Sequence, residues 1–262
     1  MLSRRTLLGR LLEWRGTYRL LTLAVFLAIW QVYATGADSV LIATVDETIV
    51  GVATLLFDPR LWESFLISNQ AMVLGFGIAM MIGVPLGLAL GRFRRAEAFV
   101  NVYLSFLLAS PLAVIIPLLI MSVGIGLSSR VILTGLFAFI NIVITVRAGV
   151  RQVDLQLIEM AKAFGASEGQ TWRKVLLPGG LPAIMAGARL GIGAAVEGMV
   201  IIELLMVAAG IGNLVLIFRG NLEAGLLYGL ILCVIAEGLV LISLARWLER
   251  RWTPWVWQSG LR

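Results

Sequence analysis

Six long apolar stretches divide this 262-residue chain and constrain its fold more than any other feature. They lie at residues 18–35, 66–90, 99–123, 129–149, 181–208 and 225–248. A helix needs about 20 apolar residues to cross a hydrocarbon core of roughly 30 Å. Inside lipid the backbone must satisfy its own hydrogen bonds, which a helix does within a single segment. The sequence therefore predicts an all-α, polytopic membrane protein with six transmembrane helices.

The basic residues indicate how the chain is oriented. Of its 21 Lys and Arg residues, 17 fall in the leader, in the loops after the second and fourth spans, or in the tail. The opposite loops carry only Arg60, Arg130 and Arg219, while Arg189 falls inside a span. Because basic residues accumulate in cytoplasmic loops, we expect a multi-pass inner-membrane protein with both termini in the cytoplasm. Charge that follows the membrane ends is not typical of a nucleic-acid-binding protein.

The residue inventory argues against several classes of site. The chain has no histidine, and its single cysteine, Cys233, lies in the last apolar stretch, so neither a disulfide nor an ordinary zinc site is expected. A GxxxxGK[ST] phosphate loop does not occur. We therefore expect no cofactor in this chain, and any ATP and Mg chemistry would have to come from a partner. Ser and Glu residues lack the spacing of paired catalytic groups, so an enzyme is not expected.

The segments outside the spans suggest further elements. Residues 1–17 read as an amphipathic N-terminal elbow, because leucines recur among arginines at near-helical spacing before a retained first span. Residues 18–249 form the six-span domain, and residues 250–262 form a cytoplasmic tail. The outer segment 36–63 contains a short apolar piece, residues 44–57, that is too short to span and is expected to be a surface or re-entrant helix.

Glycines and prolines modify the second and third spans. Small residues on one stripe allow helix backbones to approach closely in lipid, so the second-span glycines predict a packing face. Prolines remove backbone donors and predict a kink in the third span. The glycines are Gly75, Gly77, Gly83, Gly87 and Gly91, and the prolines are Pro111 and Pro117.

The longest polar interruption, residues 159–178, has the pattern of two short helices. Gly165 can end the first in a left-handed conformation, and Ser167 with Gln170 forms a capping box for the second. We expect the second helix to lie across the membrane surface, with an apolar face that nothing obvious in this chain covers, until two prolines return the chain to the membrane. The apolar face consists of Trp172, Val175 and Leu176, and the prolines are Pro178 and Pro182.

The same residues carry a family resemblance. Glu159, Ala161 and Gly165, followed by Leu177-Pro178, resemble the EAA loop of the membrane subunits of binding-protein-dependent ABC importers. The flanking runs PGGLPAIMAGARLGIG, IIELL, AAGIGNL and SPLAVIIPLLIMSVGIGLSSR are similar to the nitrate, sulfonate and taurine branch of that family. The resemblance covers roughly residues 62–254 and implies a type I ABC importer permease (MetI-like) fold.

What the resemblance implies is a transport role. The chain would be the permease subunit of an ATP-driven importer that moves a small organic solute by alternating access. Its partners would be two ATP-binding cassette ATPase subunits, an extracytoplasmic solute-binding protein and a second permease, as a homodimer or with a sister chain. A coupling helix at about 166–176 would seat in the ATPase, with contacts from Glu159, Ala161, Ala163, Gly165, Ala166, Ser167, Trp172 and Pro178. An ion-driven secondary carrier is the alternative, which the missing histidines and the lack of a second related half disfavour.

Ionisable groups inside spans mark a pathway or an internal pair. Glu197 follows Arg189 by eight residues, so the two point to a similar side of one helix. Glu197 is read as a pathway residue, with an internal ion pair or a protonated carboxyl as alternatives. Arg189 and Glu203 match the resembled branch and are either structural or substrate-facing. The candidate pathway residues are Glu197, Arg189, Glu203, Ser110 and Ser122, and Glu237 is a further intramembrane acid.

Two departures from the branch bear on the solute. The chain has Leu107-Leu108-Ala109-Ser110 where the branch often places an arginine, and Ser122-Val123 where it often has Trp-Phe. A lost cation and a gained carboxylate at Glu197 predict a neutral or cationic organic solute, such as a heterocycle or a vitamin-like compound. The alternative is an anion of the nitrate, sulfonate or taurine type.

Overall fold

A computed structural model describes residues 15–37, 39–205 and 209–254, with the side chains of residues 15 and 16 excepted. Those ranges are helical throughout, with turns and no strand. The predicted N-terminal elbow, up to residue 14, and the tail from residue 255 lie outside the described residues. The predicted all-α class is therefore confirmed for the part of the chain that the structure describes.

Eleven α-helices occupy the described ranges. They are α1 (Arg15–Gly36), α2 (Val45–Leu56), α3 (Pro59–Arg92), α4 (Arg94–Ala109), α5 (Ile115–Val123), α6 (Leu127–Val150), α7 (Leu155–Ala163), α8 (Glu168–Thr171), α9 (Leu177–Leu205), α10 (Gly210–Gly220) and α11 (Ala224–Trp252). A 3₁₀ turn, Leu112–Val114, precedes α5, and a π-helical turn, Trp172–Leu176, joins α8 to α9.

Four to six of these elements can cross a membrane. α3, α6, α11 and the Thr17–Gly36 part of α1 are each long and apolar enough alone, and two bent helix pairs bring the total to six. One pair is α4 with the segment Leu112–Val123, bent by 84°, and the other joins Glu168–Leu205 to α10 at 49°. The six predicted runs thus all fall on candidate spans, although the third is broken rather than continuous.

The break in the third span occurs at the first of its two prolines. Ser110 closes α4 by donating its backbone N–H to Phe106, and Pro111, which has no N–H to donate, follows in extended conformation. This confirms the predicted kink at Pro111. Pro117 produces no break, because it is the third residue of α5, where a backbone N–H has no intrahelical partner.

One compact unit contains α1, α2 and the first turns of α11. α2 starts at a capping box between Thr44 and Glu47, which confirms the helix predicted in the outer segment. Its contact with α11 is backbone against backbone, since a Cβ on Gly51 would overlap the carbonyl of Gly225, and one on Gly229 would lie 2.8 Å from Gly51. Only glycine allows this close approach.

The other compact unit is built around α6, which packs between α3 and α9. The α3 glycine stripe faces α6: a Cβ on Gly87 would lie 2.8 Å from Val146, and one on Gly91 would lie 2.6 Å from Val150. The predicted packing face is therefore confirmed, except at Gly77, where a Cβ would meet nothing within 4 Å. α9 approaches the same helix through its own small residues, Gly187, Gly191 and Gly198.

Candidate functional site

The loop between the fourth and fifth predicted spans is ordered by its own local caps. Asp154 accepts a hydrogen bond from the Gln156 backbone at the start of α7, and Gly165 ends that helix with φ +74°. Ser167 and Gln170 then exchange side-chain to backbone hydrogen bonds of 3.3 and 2.9 Å. The left-handed stop and the capping box predicted from the sequence are both confirmed.

The second helix of this loop, predicted at residues 166–176, is present, but it continues into the fifth span instead of ending before it. α8, the π-helical turn and α9 follow one another without a break from Glu168 to Leu205. Pro178 and Pro182 lie inside α9 rather than returning the chain to the membrane. A proline ring in a helix collides with the carbonyl four residues earlier. The wider π-helical turn just before Pro178 relieves that collision.

The predicted apolar face of this segment is also covered, in part, by the chain itself. Leu176 is buried, and the Trp172 ring packs on Phe93 with ring centroids 6.2 Å apart. The uncovered apolar surface lies instead on α7 and just after it, where Met160 is 53% and Phe164 is 84% exposed. We call Leu157, Met160 and Phe164 the α7 apolar surface; the other α7 leucine, Leu155, is exposed as well.

The predicted coupling residues surround this surface. Glu159, Ala163, Gly165, Ser167 and Pro178 are exposed, while Ala161, Ala166 and Trp172 are half-buried. One ion pair joins this segment to the end of α3, where Arg92 lies 3.6 Å from Glu168. Glu97 on α4 pairs with Arg147 and Arg151 at the end of α6. The predicted coupling segment, residues 159–178, is therefore joined to α3 by an ion pair and carries exposed apolar side chains.

The predicted pathway residue Glu203 is the centre of a buried polar network at the other end of α9. Its side chain is fully buried, and its Oε1 lies 3.3 Å from Nη1 of Arg130, itself 8% exposed. Ser68 donates to Oε2 at 2.7 Å, and the Gly212 backbone N–H donates to the same oxygen at 3.2 Å. Both carboxylate oxygens are thus satisfied within one chain. The burial and pairing support the structural alternative for this residue.

Arg130, the partner of Glu203, is expected from the sequence in an outer loop. It lies instead in the first turns of α6 and also donates to the Ile67 carbonyl at 3.2 Å. One sequence signal indicates the pairing of Arg130 with Glu203. A buried carboxylate needs a cationic partner, and Arg130 is one of only three basic residues expected on the outer side.

Arg189 and Glu197 have different surroundings, although both lie on α9. The Arg189 Nε is 3.2 Å from Glu249 on α11, a pairing that the sequence did not indicate. Glu197 is exposed, and among the described residues it takes part in no ion pair. Gly193 lies one turn away on α9, where a Cβ would make an ordinary contact 3.7 Å from Ile242. An exposed carboxylate is consistent with the predicted pathway role rather than with an internal pair.

The remaining candidates lie around the broken third span and in the last span. Ser110 is half-buried at the break, and Ser122 is exposed with its hydroxyl donating to the Leu118 carbonyl at 2.7 Å. Glu237 on α11 accepts a short hydrogen bond from Asn69 on α3, another partner that sequence reasoning missed. Within the described ranges, His, Cys, Asp and Glu side chains form no group of three that could hold a metal ion.

An open groove runs along α6 and α9 next to the coupling segment. It has a volume of about 600 Å³ and is lined mainly by small and apolar residues, with Thr145 and Gln152 as polar groups. The two helices approach closely here, since a Cβ on Gly149 would overlap the Ala183 side chain. A groove of this kind can hold a small organic molecule, although none of the predicted pathway residues lines it.

Comparisons with known proteins agree with this architecture. Residues 79–254 match the family described as "Binding-protein-dependent transport system inner membrane component". The putative aliphatic sulfonates transport permease protein SsuC of Bacillus subtilis is 32% identical over 240 residues, which is 90% of this chain and 86% of that protein. The taurine transport system permease protein TauC of Escherichia coli is 29% identical over 94% of both chains.

A third relative and one solved structure extend the comparison. The riboflavin transport system permease protein RibX of Chloroflexus aurantiacus is 30% identical over 93% of this chain and 91% of that protein. The fold is similar to a chain of the inward-facing MetNI methionine ABC transporter, with a TM-score of 0.59, 23% identity and coverage of 79% of this chain and 96% of that chain. The chain therefore belongs to the family of binding-protein-dependent transport system inner membrane components.

Proposed function

We propose that this chain is one membrane half of an ATP-driven importer for a small organic anion of the sulfonate class. The single observation that carries the proposal is similarity along nine-tenths of the chain to permeases named for aliphatic sulfonates and taurine. This substrate class is the alternative considered from the sequence rather than the neutral or cationic solute preferred there. ATP and Mg belong to a separate partner ATPase, and an extracytoplasmic binding protein delivers the solute.

The α7 apolar surface supports the place of the ATPase in this proposal. Met160 and Phe164 expose large apolar side chains on a polar loop that carries the basic residues typical of the cytoplasmic side. Exposed apolar side chains rimmed by polar residues mark protein interaction sites. Local caps and the Gly165 stop keep the segment rigid, so a force from the partner moves the helix instead of deforming the loop.

Completion of the transport path requires a second membrane half. The described residues supply at most six spans, and the Glu197 side chain is exposed. We propose that a second copy faces it, with the exposed side of α9 at the central path, and that the two halves alternate between inward-open and outward-open states. We propose that both termini lie in the cytoplasm, which the distribution of basic residues supports.

One observation favours a second candidate substrate. Glu197 presents an exposed carboxylate on a span, which repels an anion and attracts a cation or a hydrogen-bond donor. The riboflavin permease among the relatives is named for a solute that is a heterocycle rather than a sulfonate. A neutral or cationic heterocycle is therefore the competing solute.

The binding protein provides the decisive experiment. It should be identified by co-purification with the complex and screened by thermal shift against taurine, alkane sulfonates, nitrate and riboflavin. A rise in melting temperature with a sulfonate alone is expected. If riboflavin or another heterocycle raises the melting temperature of the binding protein and sulfonates do not, the solute is a heterocycle and the sulfonate proposal is wrong. Failure of the chain to co-purify with any ATPase contradicts the importer itself.

A further inference from the structure

The coupling segment and the outer end of the fifth span are two ends of one helix. From Glu168 through the π-helical turn to Leu205 the chain is helical without interruption. At 1.5 Å per residue this length is about 55 Å. Its flank is held against α6 by the close contacts of Gly180, Gly187 and Gly191. A displacement applied at Glu168 therefore reaches the far end of α9 along a single packed rod.

Side-chain hydrogen bonds join that far end to the beginning of α10. α10 starts after residues 206–208 at 49° to α9. The Ile211 N–H donates to the Ser68 hydroxyl at 2.9 Å, and the Gly212 N–H donates to Glu203 at 3.2 Å. These N–H groups belong to the first turn of α10, which has no intrahelical acceptor for them. The positive end of the α10 dipole thus meets a carboxylate carried by α9.

The contact is tight and connects three helices to α10. Gly210 adopts φ +54°, and a Cβ at this position would overlap the Ser68 hydroxyl. A Cβ on Gly212 would lie 2.5 Å from Glu203. Arg130 of α6 neutralises the carboxylate and also binds the Ile67 carbonyl of α3. α10 therefore has little freedom to move independently of Glu203.

We infer that Ser68, Arg130 and Glu203 form a positioning latch that makes α10 follow α9, so that movement at the coupling segment is delivered to the outer bend. The inference rests on the proposed function, in which a partner ATPase drives that segment. The latch residues are positioning residues and need no contact with the solute. Since well-packed apolar residues can replace a buried ion pair with little loss of stability, stability alone gives no reason to keep this one. Transmission from α9 to α10 requires it.

Ser68 offers the mildest test, with a matched control on the same helix. Ser68→Ala removes the hydroxyl that joins Glu203 to the Ile211 N–H, while Ser64→Ala removes a buried hydroxyl one turn earlier that forms no part of the latch. Glu203→Gln serves as the stronger variant. Each is reconstituted in liposomes with its ATPase and the solute-loaded binding protein. ATP hydrolysis with and without the binding protein and solute uptake per ATP are then measured.

A local readout separates transmission from a loss of structure. In a Cys233→Ser background, single cysteines at Asn213 on α10 and at Gly169 on α8 report ATP-dependent changes in alkylation rate at the two ends, since both positions are exposed. We expect Ser68→Ala to lower both the stimulation by binding protein and the change at position 213 about fivefold or more. The change at position 169 and the basal hydrolysis stay at wild-type values. Ser64→Ala behaves as wild type.

The outcomes distinguish the latch from the transport role. Normal stimulation and a normal response at position 213 in Ser68→Ala overturn the inference, as does failure of that variant to assemble with its partners. If Glu203→Gln fails to assemble with its partners, the comparison of Ser68→Ala with its control Ser64→Ala tests the latch by itself. Absence of any stimulation in the wild-type complex contradicts the proposed function instead.

Discussion

The guanidinium of Arg130 lies 3.3 Å from the carboxylate of Glu203, although 73 residues separate them in the sequence. Both side chains are almost entirely removed from solvent, and the carboxylate also accepts hydrogen bonds from Ser68 and from α10. A pair of this kind is costly to break from one side, because the remaining charge is left buried without a partner.

Removal of one member of this pair should therefore destabilise the chain more than removal of both. We expect Arg130→Met to lower the free energy of unfolding by about 3–5 kcal/mol, and the double variant Arg130→Met with Glu203→Leu to recover most of that loss. Unfolding in mixed micelles by titration with a denaturing detergent measures both. Equal losses in the single and double variants would contradict the buried-pair assignment.

The α3 glycine stripe allows a matched pair of substitutions. Gly87→Ala places a Cβ 2.8 Å from Val146 and 3.0 Å from the Val143 carbonyl oxygen, whereas Gly77→Ala meets nothing within 4 Å. We expect Gly87→Ala to cost about 1–3 kcal/mol through overpacking. Gly77→Ala should be neutral or stabilising by up to about 1 kcal/mol, because alanine favours the helix. The same micelle titration compares them, and a ranking in the opposite order refutes the packing assignment.

The α7 apolar surface should control association with the ATPase. Phe164 is 84% exposed, and Phe57, which follows α2 in the predicted outer segment, is 89% exposed and provides a control of equal chemistry. Loss of a buried aromatic anchor costs an interface more than about 1.4 kcal/mol, so Phe164→Ala should weaken ATPase binding about tenfold or more. Phe57→Ala should leave it unchanged. Pull-down titrations with the purified ATPase measure both affinities.

The turn at Gly165 should matter for its backbone conformation. Its φ of +74° strains any residue with a Cβ, while Gly169 lies inside α8 with open space around it. We expect Gly165→Ala to cost about 1 kcal/mol locally and to lower solute transported per ATP. Gly169→Ala should keep the wild-type ratio, since it strengthens the helix. An unchanged ratio in Gly165→Ala would show that the stop is not needed for coupling.

Acid should loosen the start of α2. The Gln31 side chain donates a hydrogen bond to the Asp46 carboxylate at 2.8 Å. This hydrogen bond, with a smaller effect from a hydrogen bond to the Thr44 side chain, holds the pKa of the Asp46 carboxyl below its ordinary value of 3.8. A carboxyl with a lowered pKa contributes stability above its ordinary pKa and loses it as the pH falls through the folded value. We therefore expect α2 amides to exchange faster below about pH 4.

Hydrogen exchange of α2 between pH 3 and pH 6, each rate corrected for the intrinsic pH dependence of exchange, tests this expectation. Asp46→Asn removes the titrating group and should flatten the corrected pH dependence. Gln31→Ala removes the donor, together with the 2.8 Å bond from the Val45 N–H to the Gln31 amide oxygen, and should raise exchange at both pH values. A corrected profile in Asp46→Asn identical to that of the wild-type chain is incompatible with the titration of Asp46.

Features that depend on neighbouring residues were predictable from the sequence. The apolar runs required helices because lipid offers the backbone no hydrogen bonds. The Gly165 stop, the capping box at Ser167 and the break at Pro111 each involve residues within a few positions of one another. These local interactions do not depend on how the helices pack, so they can be predicted from the amino-acid sequence.

Only the tertiary structure decided the partners across helices. Glu203 with Arg130, Glu237 with Asn69 and Arg189 with Glu249 join residues 60 or more positions apart. Periodicity gives the face of one helix, yet it does not specify which face of another helix it meets. The continuity of α8 with α9 was also decided only by the structure. From the sequence, Pro178 predicts the end of a helix. The π-helical turn before Pro178 shows how the helix accommodates the proline ring and continues.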